Sequence, residues 1–295
     1  MADGPSIAVT ADLHWGHHAR GDSAVRDLVD FLSRQPPDVL LLGGDIGTGV
    51  HFATCLSLFD GLHSIKALVA GNHDVWVLPD DQRGNSRDVY EKSLPGDTIA
   101  HGFHYLDVEP LFLKNFDLSI VGSMNWYDYS WSIDEVRQTF PDELWRLAAK
   151  RFRRGQHNDA NFVRWDLDDA AFTTRLTNRL HAHLEQACSQ SSQMIVLTHH
   201  PASRALSFPE PNAPPDMDRL LWVALMGNVT VEQLLEKYAG RIPLTFSGHT
   251  HRAREATVAG GRGFNVGGDY HFKRLLWFDS PSAPAIVHEF GDPVK

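Results

Sequence analysis

Short apolar runs divide this chain at intervals and have the length of buried β-strands. They are residues 7–10, 39–42, 65–70, 194–197 and 244–246. Runs of four to eight apolar residues bounded by turn signals are typical of strands that are covered on both faces. Helix-like segments separate several of these runs. This alternation predicts an α/β fold built from stacked βαβ units.

Helical spacing of apolar residues marks the segments between the strands. Asp22 is the expected N-cap of a helix whose apolar face includes Val25, Leu28 and Leu32, and Pro36 follows its end. The longest helix is predicted over residues 172–188. Further helices are predicted at 52–59 and 231–238, and further strands at 118–121, 255–258, 263–266 and 275–278.

Five motifs rich in metal-binding side chains follow the five apolar runs. They are Asp12-Leu13-His14, Gly44-Asp45, Gly71-Asn72-His73-Asp74, Thr198-His199-His200-Pro201 and Gly248-His249-Thr250-His251. In a chain with 17 histidines, a single motif of this kind could arise by chance, and its histidine would most simply be a surface or core residue. Five of them at strand ends converge on one crevice, because an open α/β sheet places its loops there. The pattern predicts a two-metal hydrolytic site.

Composition and charge narrow the class of protein. The 295 residues, 42% hydrophobic and 22% charged, are ordinary globular values, and we expect a single domain over residues 1–295. The net charge of −10 argues against nucleic acid as a partner. A small phosphate-ester substrate can still bind if metal ions supply the positive charge. Cys55 and Cys188 have no metal or redox spacing.

Compartment and assembly are judged from the same sequence. Residues 1–6 are polar and no apolar run approaches the roughly 20 residues of a membrane span. We therefore expect a cytoplasmic protein without membrane contact. The oligomeric state is left open.

The five motifs, in this order, resemble the signature of calcineurin-like metallophosphoesterases, and they extend over residues 12–251. The resemblance implies a four-layer αββα sandwich with a dinuclear metal centre. It implies that one metal is held by Asp12, His14, Asp45 and His251. Asp45 would bridge to a second metal held with Asn72, His199 and His249. His200 is an alternative to His199 as the ligand.

The chemistry of these side chains agrees with such a centre. Carboxylate, imidazole and amide donors suit manganese, iron, zinc or cobalt better than calcium or magnesium. We expect two divalent ions, or Fe(III) with a divalent ion, with manganese or iron ahead of zinc. A hydroxide bridging two such ions can attack phosphorus in line.

His73 is the catalytic candidate outside the ligand set. It adjoins Asn72, and a histidine near the metals can protonate a leaving alkoxide. The resemblance assigns His73 that role or stabilisation of the transition state. The Gly44-Asp45 motif continues as Ile46-Gly47, without the Asp-Arg-Gly of the protein serine/threonine phosphatases. This difference argues against protein-phosphatase activity. Asp74 either orients its surroundings or forms a turn.

Residues 126–165 interrupt the strand–helix rhythm. They hold four of the eight tryptophans and a basic cluster at residues 150–154. The segment is interpreted either as a cap inserted over the metal site or as an ordinary helical excursion. Asn125, Tyr127 and Asp128 end a predicted strand and are candidate substrate contacts. The proline-rich loop at residues 201–217 is a second candidate wall, and His17 and His18 lie either at the entrance or in a solvated loop.

Three functions remain open at this point. The first is a metal-dependent phosphatase or phosphodiesterase acting on small esters, nucleotides among them. The second is a non-catalytic scaffold that keeps the fold as a binding module. The third is a nuclease, which the acidic charge disfavours and the basic cluster at residues 150–154 supports.

Overall fold

Two six-stranded mixed sheets form the centre of the molecule. The computed structural model describes residues 4–208 and 216–292. Its strands are β1 (Ile7–Thr10), β2 (Val39–Gly43), β3 (Ile65–Val69), β4 (Phe103–Tyr105), β5 (Leu111–Leu113), β6 (Leu118–Ser123), β7 (Gln193–Thr198), β8 (Leu244–Ser247), β9 (Arg254–Val258), β10 (Gly261–Asn265), β11 (Lys273–Phe278) and β12 (Ile286–Phe290). Its helices are α1 (Ala19–Arg34), α2 (His51–Ser57), α3 (Ser86–Asp88), α4 (Leu94–Ala100), α5 (Ile133–Thr139), α6 (Trp145–Ala149), α7 (Asp159–Phe162), α8 (Asp169–Gln190), α9 (Met217–Ala224) and α10 (Val229–Glu236).

Parallel strands occupy the middle of each sheet. The first sheet has the order β12-β11-β1-β2-β3-β4, and the second has the order β5-β6-β7-β8-β10-β9. In the first, β1 to β4 are parallel, and β11 and β12 are antiparallel additions at one side. In the second, β6, β7, β8 and β10 are parallel between antiparallel edge strands. Loops that carry polar side chains leave the carboxyl ends of both parallel sets.

Alternation of side chains along the strands creates the layers. In β1, Ile7 and Val9 join the apolar cluster between the two sheets, together with Leu197 and Phe246 of the second sheet. Ala8 faces the opposite side, in the cluster that contains α1 and α2. The outer face of the second sheet is covered by α8 and α10. This arrangement of helices, sheet, sheet and helices confirms the predicted α/β sandwich.

The start of α1 differs from the prediction. The helix begins at Ala19, with His18 as the N-cap accepting the backbone N–H of Arg20. Asp22 lies inside the first turn and accepts the N–H of Gly16 at 2.8 Å, so it ties the preceding loop to the helix. The prediction of Asp22 as the cap was wrong because a histidine rather than an Asx or Ser side chain fills the capping position.

The segment at residues 126–165 has some side chains buried in the core and others exposed at the surface. It contains α5, α6 and α7, while Trp126, Tyr127 and Trp131 are buried in the apolar cluster on the outer side of the first sheet. His157, from the same segment, lines the cleft described below. Its role as a cap stays a prediction. Residues 209–215 of the proline-rich loop lie outside the described residues.

Helix length and hydropathy bear on membrane contact. Within the described ranges, no helix has the length and apolar character needed to cross a bilayer.

Candidate metal centre

The predicted ligands occupy tight turns directly after the strands. Asp12 and His14 follow β1, Asp45 follows β2, Asn72 follows β3, and the ligand histidines of the second sheet follow β7 and β8. Five of these residues have a left-handed backbone, with φ of 58° at Asp12, 44° at His14, 53° at Asp45, 69° at His249 and 55° at His251. Each such residue costs about 1 kcal/mol or more, and this strain concentrates at functional sites.

Glycines let these turns approach one another closely. A Cβ atom on Gly71 would lie 2.2 Å from the backbone nitrogen of Asp45. Gly44 has φ of 85°, and a Cβ atom there would lie 2.6 Å from Nδ1 of His199. Gly71 is therefore required by space, and Gly44 is required both by space and by its left-handed backbone.

The first ligand set consists of Asp12, His14, Asp45 and His251. One ligand atom from each lies within 4.8 Å of every other, so this set could hold a metal ion. Nε2 of His14 is 3.0 Å from Nε2 of His251 and 3.6 Å from Oδ2 of Asp45. Nε2 of His251 is 3.6 Å from Oδ1 of Asp12.

The second predicted ligand set consists of Asp45, Asn72, His199 and His249. Oδ1 of Asn72 is 3.0 Å from Nε2 of His199 and 3.1 Å from Nδ1 of His249. Nε2 of His199 is 3.4 Å from Oδ1 of Asp45. Asp45 therefore presents Oδ2 to the first set and Oδ1 to the second.

An unpartnered buried oxygen fits a cation at this place. Oδ2 of Asp12 is buried and has no hydrogen-bond partner among the described residues. Burial raises the pKa of Asp12 to about 7 and raises the pKa of Asp45 well above its usual range. Burial also lowers the pKa of His251 to about 4 and the pKa of His14 well below its usual range. A divalent cation requires neutral imidazoles, which the lowered histidine pKa values favour, and deprotonated carboxylates, so its binding would release protons from Asp12 and Asp45.

Backbone contacts fix the ligands from outside. Nδ1 of His199 lies 2.9 Å from the carbonyl oxygen of Gly43, which assigns the proton to Nδ1 and leaves Nε2 for a metal. Asp74 is fully buried and accepts the N–H groups of Ile46, Gly47 and Gly71 at 2.8 to 2.9 Å. Asp74 therefore holds the Asp45 turn against the Asn72 turn.

The structure also distinguishes His199 from its neighbour. His199 faces both Asp45 and Asn72, whereas Nδ1 of His200 lies 3.2 Å from the carbonyl oxygen of Met124. The ring of His200 packs against His249, with a centroid distance of 4.0 Å. The geometry brings His199, and not His200, into the second ligand set.

His73 lies beside both ligand sets. Its Nε2 is 3.9 Å from Oδ2 of Asp45, and its ring stacks on Trp76 with a centroid distance of 3.6 Å. Burial lowers the pKa of His73 to about 3. A neutral imidazole can donate a hydrogen bond at neutral pH, which favours transition-state stabilisation over the general-acid role.

The candidate substrate contacts lie deeper than expected. The side chain of Asn125 is buried and donates to the carbonyl oxygens of His200 and Pro201. Tyr127 is fully buried and its hydroxyl donates to Oδ2 of Asp159 at 2.9 Å. Asp128 accepts the N–H of Ser130. These contacts are internal, so the role of the three residues towards substrate stays a prediction without support from geometry.

Asp159 is a site residue that sequence reasoning missed. Its carboxylate is buried and accepts hydrogen bonds from Asn72, Trp76 and Tyr127. Burial raises its pKa, but His157 and the hydrogen-bond donors outweigh that effect and hold the pKa of Asp159 below its usual range. No motif marks Asp159, because it lies in a short helix within an irregular segment.

Tyr270 is a second missed residue. Its ring centroid lies 4.3 Å from that of His14, 4.9 Å from that of His251 and 4.5 Å from that of His17. His17 therefore lies at the edge of the site, whereas His18 caps α1. The sequence Gly267-Gly268-Asp269-Tyr270 follows β10 in the same strand-end pattern as the five motifs. That pattern would have identified Tyr270.

A cleft of about 760 Å³ opens over both ligand sets. Asp45, Asn72 and His249 line it at the metal end, and Trp222 and Met226 line it farther out. The volume is in the range of sites that bind organic ligands of cofactor size. Trp222 belongs to α9, so the helix after the proline-rich loop forms this wall.

Comparisons with known proteins agree with the geometry. The sequence model of the calcineurin-like phosphoesterases matches residues 5–253. Among curated protein sequences, none matches this chain.

Solved structures share the fold at low sequence identity. Phosphopantetheinyl hydrolase from Mycobacterium tuberculosis has a TM-score of 0.66 and 19% identity, with 92% of each chain covered. A dimetal phosphatase from Danio rerio has a TM-score of 0.57 and 14% identity, covering 97% of this chain and 98% of its own. A protein from Thermus thermophilus has a TM-score of 0.57 and 12% identity, with the same coverage.

Proposed function

Since this chain belongs to the calcineurin-like phosphoesterase family, we propose that it hydrolyses small phosphate monoesters or diesters, nucleotides among them, at a dinuclear metal centre. The observation that carries the proposal is the placement of Asp45. Its Oδ2 faces His14 at 3.6 Å and its Oδ1 faces His199 at 3.4 Å. One carboxylate shared in this way can hold two cations roughly 3.5–4 Å apart.

The residues then have separate tasks. Two bound ions would activate a water molecule and neutralise charge on the phosphoryl oxygens. Asp12 and Asp45 supply the negative charge that holds the ions, and the histidines hold them while remaining neutral. His73 donates a hydrogen bond to a phosphoryl or leaving oxygen, because its ring lies beside Asp45 and is fixed by the stack on Trp76.

The identity of the ions is inferred from the donor atoms. Four of the seven ligands are imidazoles, one is an amide and two are carboxylates: His14, His199, His249, His251, Asn72, Asp12 and Asp45. This nitrogen-rich set favours manganese, iron or zinc over magnesium or calcium. It suits either two divalent ions or a pair of Fe(III) and a divalent ion.

The outer cleft favours substrates with a sizeable organic group. Trp222 is 43% exposed, and Val223 and Met226 continue the apolar wall beside it. Replacing Trp222 with alanine should raise KM about 5- to 10-fold for an ester with a large aromatic group, and much less for a small ester, since an aromatic contact contributes about 1 kcal/mol. Trp145 is 58% exposed, and it is not one of the described residues that line the cleft. Trp145→Ala is therefore the matched control.

A hydrolysis screen tests the proposed activity. Purified protein is supplied with Mn²⁺, Fe²⁺ or Zn²⁺ and offered p-nitrophenyl phosphate, bis-p-nitrophenyl phosphate and cyclic nucleotides. We expect turnover that is lost on chelation and restored by one of these metals. A protein that binds two metals but hydrolyses none of these esters would contradict the proposal and support a scaffold.

The basic cluster at residues 150–154, which bears on a nuclease function, is partly buried and partly exposed. Nζ of Lys150 is buried in an ion pair with Asp169 at 2.5 Å. Arg146, just before the cluster, is likewise buried against Asp218. These two charges are used inside the protein, whereas Arg151, Arg153 and Arg154 of the cluster are exposed.

A further inference from the structure

Asp159 connects the segment at residues 126–165 to the second ligand set. It begins α7 and is 1% exposed. Its Oδ1 accepts the amide N–H of Asn72 at 2.9 Å and the indole N–H of Trp76 at 2.8 Å. Its Oδ2 accepts the hydroxyl of Tyr127 at 2.9 Å and lies 3.3 Å from Nδ1 of His157. Both oxygens of the carboxylate are therefore engaged.

The first consequence concerns the orientation of Asn72. A side-chain amide has one acceptor end and one donor end, and only the oxygen can ligate a metal. Because the NH₂ group of Asn72 is bonded to Asp159, its Oδ1 faces His199 at 3.0 Å and His249 at 3.1 Å. A flipped amide would place its oxygen against the carboxylate and its NH₂ group towards the metal. Asp159 excludes that orientation.

The second consequence concerns His73. The same Oδ1 of Asp159 holds the indole of Trp76, and the face of Trp76 stacks on the ring of His73 at 3.6 Å with an interplanar angle of 27°. One carboxylate oxygen thus sets the position of a ligand and, through Trp76, the plane of the catalytic candidate.

We propose that Asp159 is a positioning residue that orients Asn72 as a metal ligand and His73 towards substrate. The inference rests on the proposed dinuclear function. It gives residues 126–165 a role in the metal centre, because this segment supplies the carboxylate that holds Asn72 and Trp76.

Asp169 provides a matched control in the same part of the fold. It is also buried, and it accepts the indole N–H of Trp126 at 2.8 Å, the hydroxyl of Tyr129 and the ammonium group of Lys150. Like Asp159 it accepts an indole N–H and a tyrosine hydroxyl, but among the described contacts it is hydrogen-bonded to none of the seven candidate ligands. Substitution of either aspartate should lower the stability of the protein, whereas only substitution of Asp159 should weaken metal binding.

The experiment measures Mn²⁺ binding by calorimetry, thermal stability and steady-state kinetics in Asp159→Leu, Asp159→Asn and Asp169→Leu. We expect Asp159→Leu to weaken one of the two Mn²⁺ sites 10- to 100-fold, which is typical for loss of an outer partner of a metal ligand. The other site should be unchanged, and kcat should fall more than KM rises. Asp159→Asn keeps an acceptor for Asn72 and should recover most of the affinity. Asp169→Leu should lower Tm and leave both Mn²⁺ affinities unchanged.

A charge exchange guards against variants that do not fold. Asn72→Asp combined with Asp159→Asn keeps the hydrogen bond between the two side chains with its direction reversed, although it gives up the bond that Oδ1 of Asp159 accepts from Trp76. The exchange should therefore restore part of the Mn²⁺ binding that Asn72→Asp alone loses by repulsion. Wild-type affinity at both sites in Asp159→Leu, equal weakening in Asp169→Leu, or no rescue by the exchange would overturn the inference. Failure of the wild-type protein to bind two Mn²⁺ ions would instead contradict the dinuclear function.

Discussion

The two predicted ligand sets of the candidate metal centre are built by different means. In the first, Asp12, His14, Asp45 and His251 all have a left-handed backbone. In the second, Asp45 and His249 also have a left-handed backbone, whereas Asn72 has φ of −66° and its side chain is held by Asp159 rather than by strain. The first set is thus positioned by backbone conformation at all four residues, and the second depends in addition on a hydrogen bond from a distant part of the chain.

Charge also separates the two sets. The first contains two carboxylates, Asp12 and Asp45, whereas the second contains only the shared Asp45 and the neutral amide of Asn72. A divalent ion in the first set would meet more negative charge. We therefore expect the first set to bind its ion more tightly. The two sites should fill in order during a titration, which makes their differences measurable.

The largest expected effect comes from the residue that the two sets share. Asp45→Asn should abolish binding of both ions and lower turnover by more than about 10³-fold, because the shared position requires a negative charge. Metal content by mass spectrometry and turnover with p-nitrophenyl phosphate provide the readouts. Retention of two ions with wild-type turnover would show that Asp45 does not connect the sets.

A large loss of activity without loss of metal is expected at His73. His73→Ala should retain both ions and lower kcat about 10²- to 10³-fold, because a hydrogen-bond donor to the transition state is removed. Since burial lowers the pKa of His73 to about 3, the loss should be similar for good and poor leaving groups. A loss that rises steeply with the pKa of the leaving group would restore the general-acid role.

Single ligands should separate the two sets. Asp12→Asn should weaken only the tighter ion, and Asn72→Ala only the weaker one, each by more than the roughly 10- to 100-fold typical of an outer partner. Calorimetric titration with Mn²⁺ resolves the two steps. If either variant weakened both Mn²⁺ binding steps equally, the two ions would not be held by separate ligand sets.

The last expected difference between the two sets is the dependence of metal binding on pH. Burial raises the pKa of Asp12 to about 7, so protons compete with metal below that pH. The pKa of His251 is lowered to about 4, so this imidazole competes only in more acidic solution. The affinity of the tighter site should fall as pH decreases from about 7 to about 5, by up to about tenfold per unit for each carboxylate, and more steeply than that of the weaker site. Equal slopes would contradict the difference in charge.

The same contrast explains what the sequence could predict. Ligands placed by backbone turns carry local signals, such as a glycine before Asp45 or before Asn72 at a strand end, and the structure brings all seven predicted ligands together. Asp159 has no such signal, because its partners Asn72 and Trp76 are 87 and 83 residues away in the chain. The internal hydrogen bond of Tyr127 to Asp159 was hidden for the same reason, and Tyr127 was interpreted as a substrate contact.

The fold shows a similar division. Strands covered on both faces, such as β1 and β2, were predicted almost to their ends because their apolar runs are continuous. The short strands β4 and β5 and the edge strand β12 were not predicted. They have three, three and five residues, and much of β12 is exposed, so they lack the long buried run that marks the central strands.

Anomalous X-ray scattering from crystals grown with Mn²⁺ tests the shared centre most directly. The account predicts two manganese peaks per chain, roughly 3.5–4 Å apart, with Oδ2 of Asp45 beside one and Oδ1 beside the other. A single peak, or two peaks of which only one contacts Asp45, would contradict it.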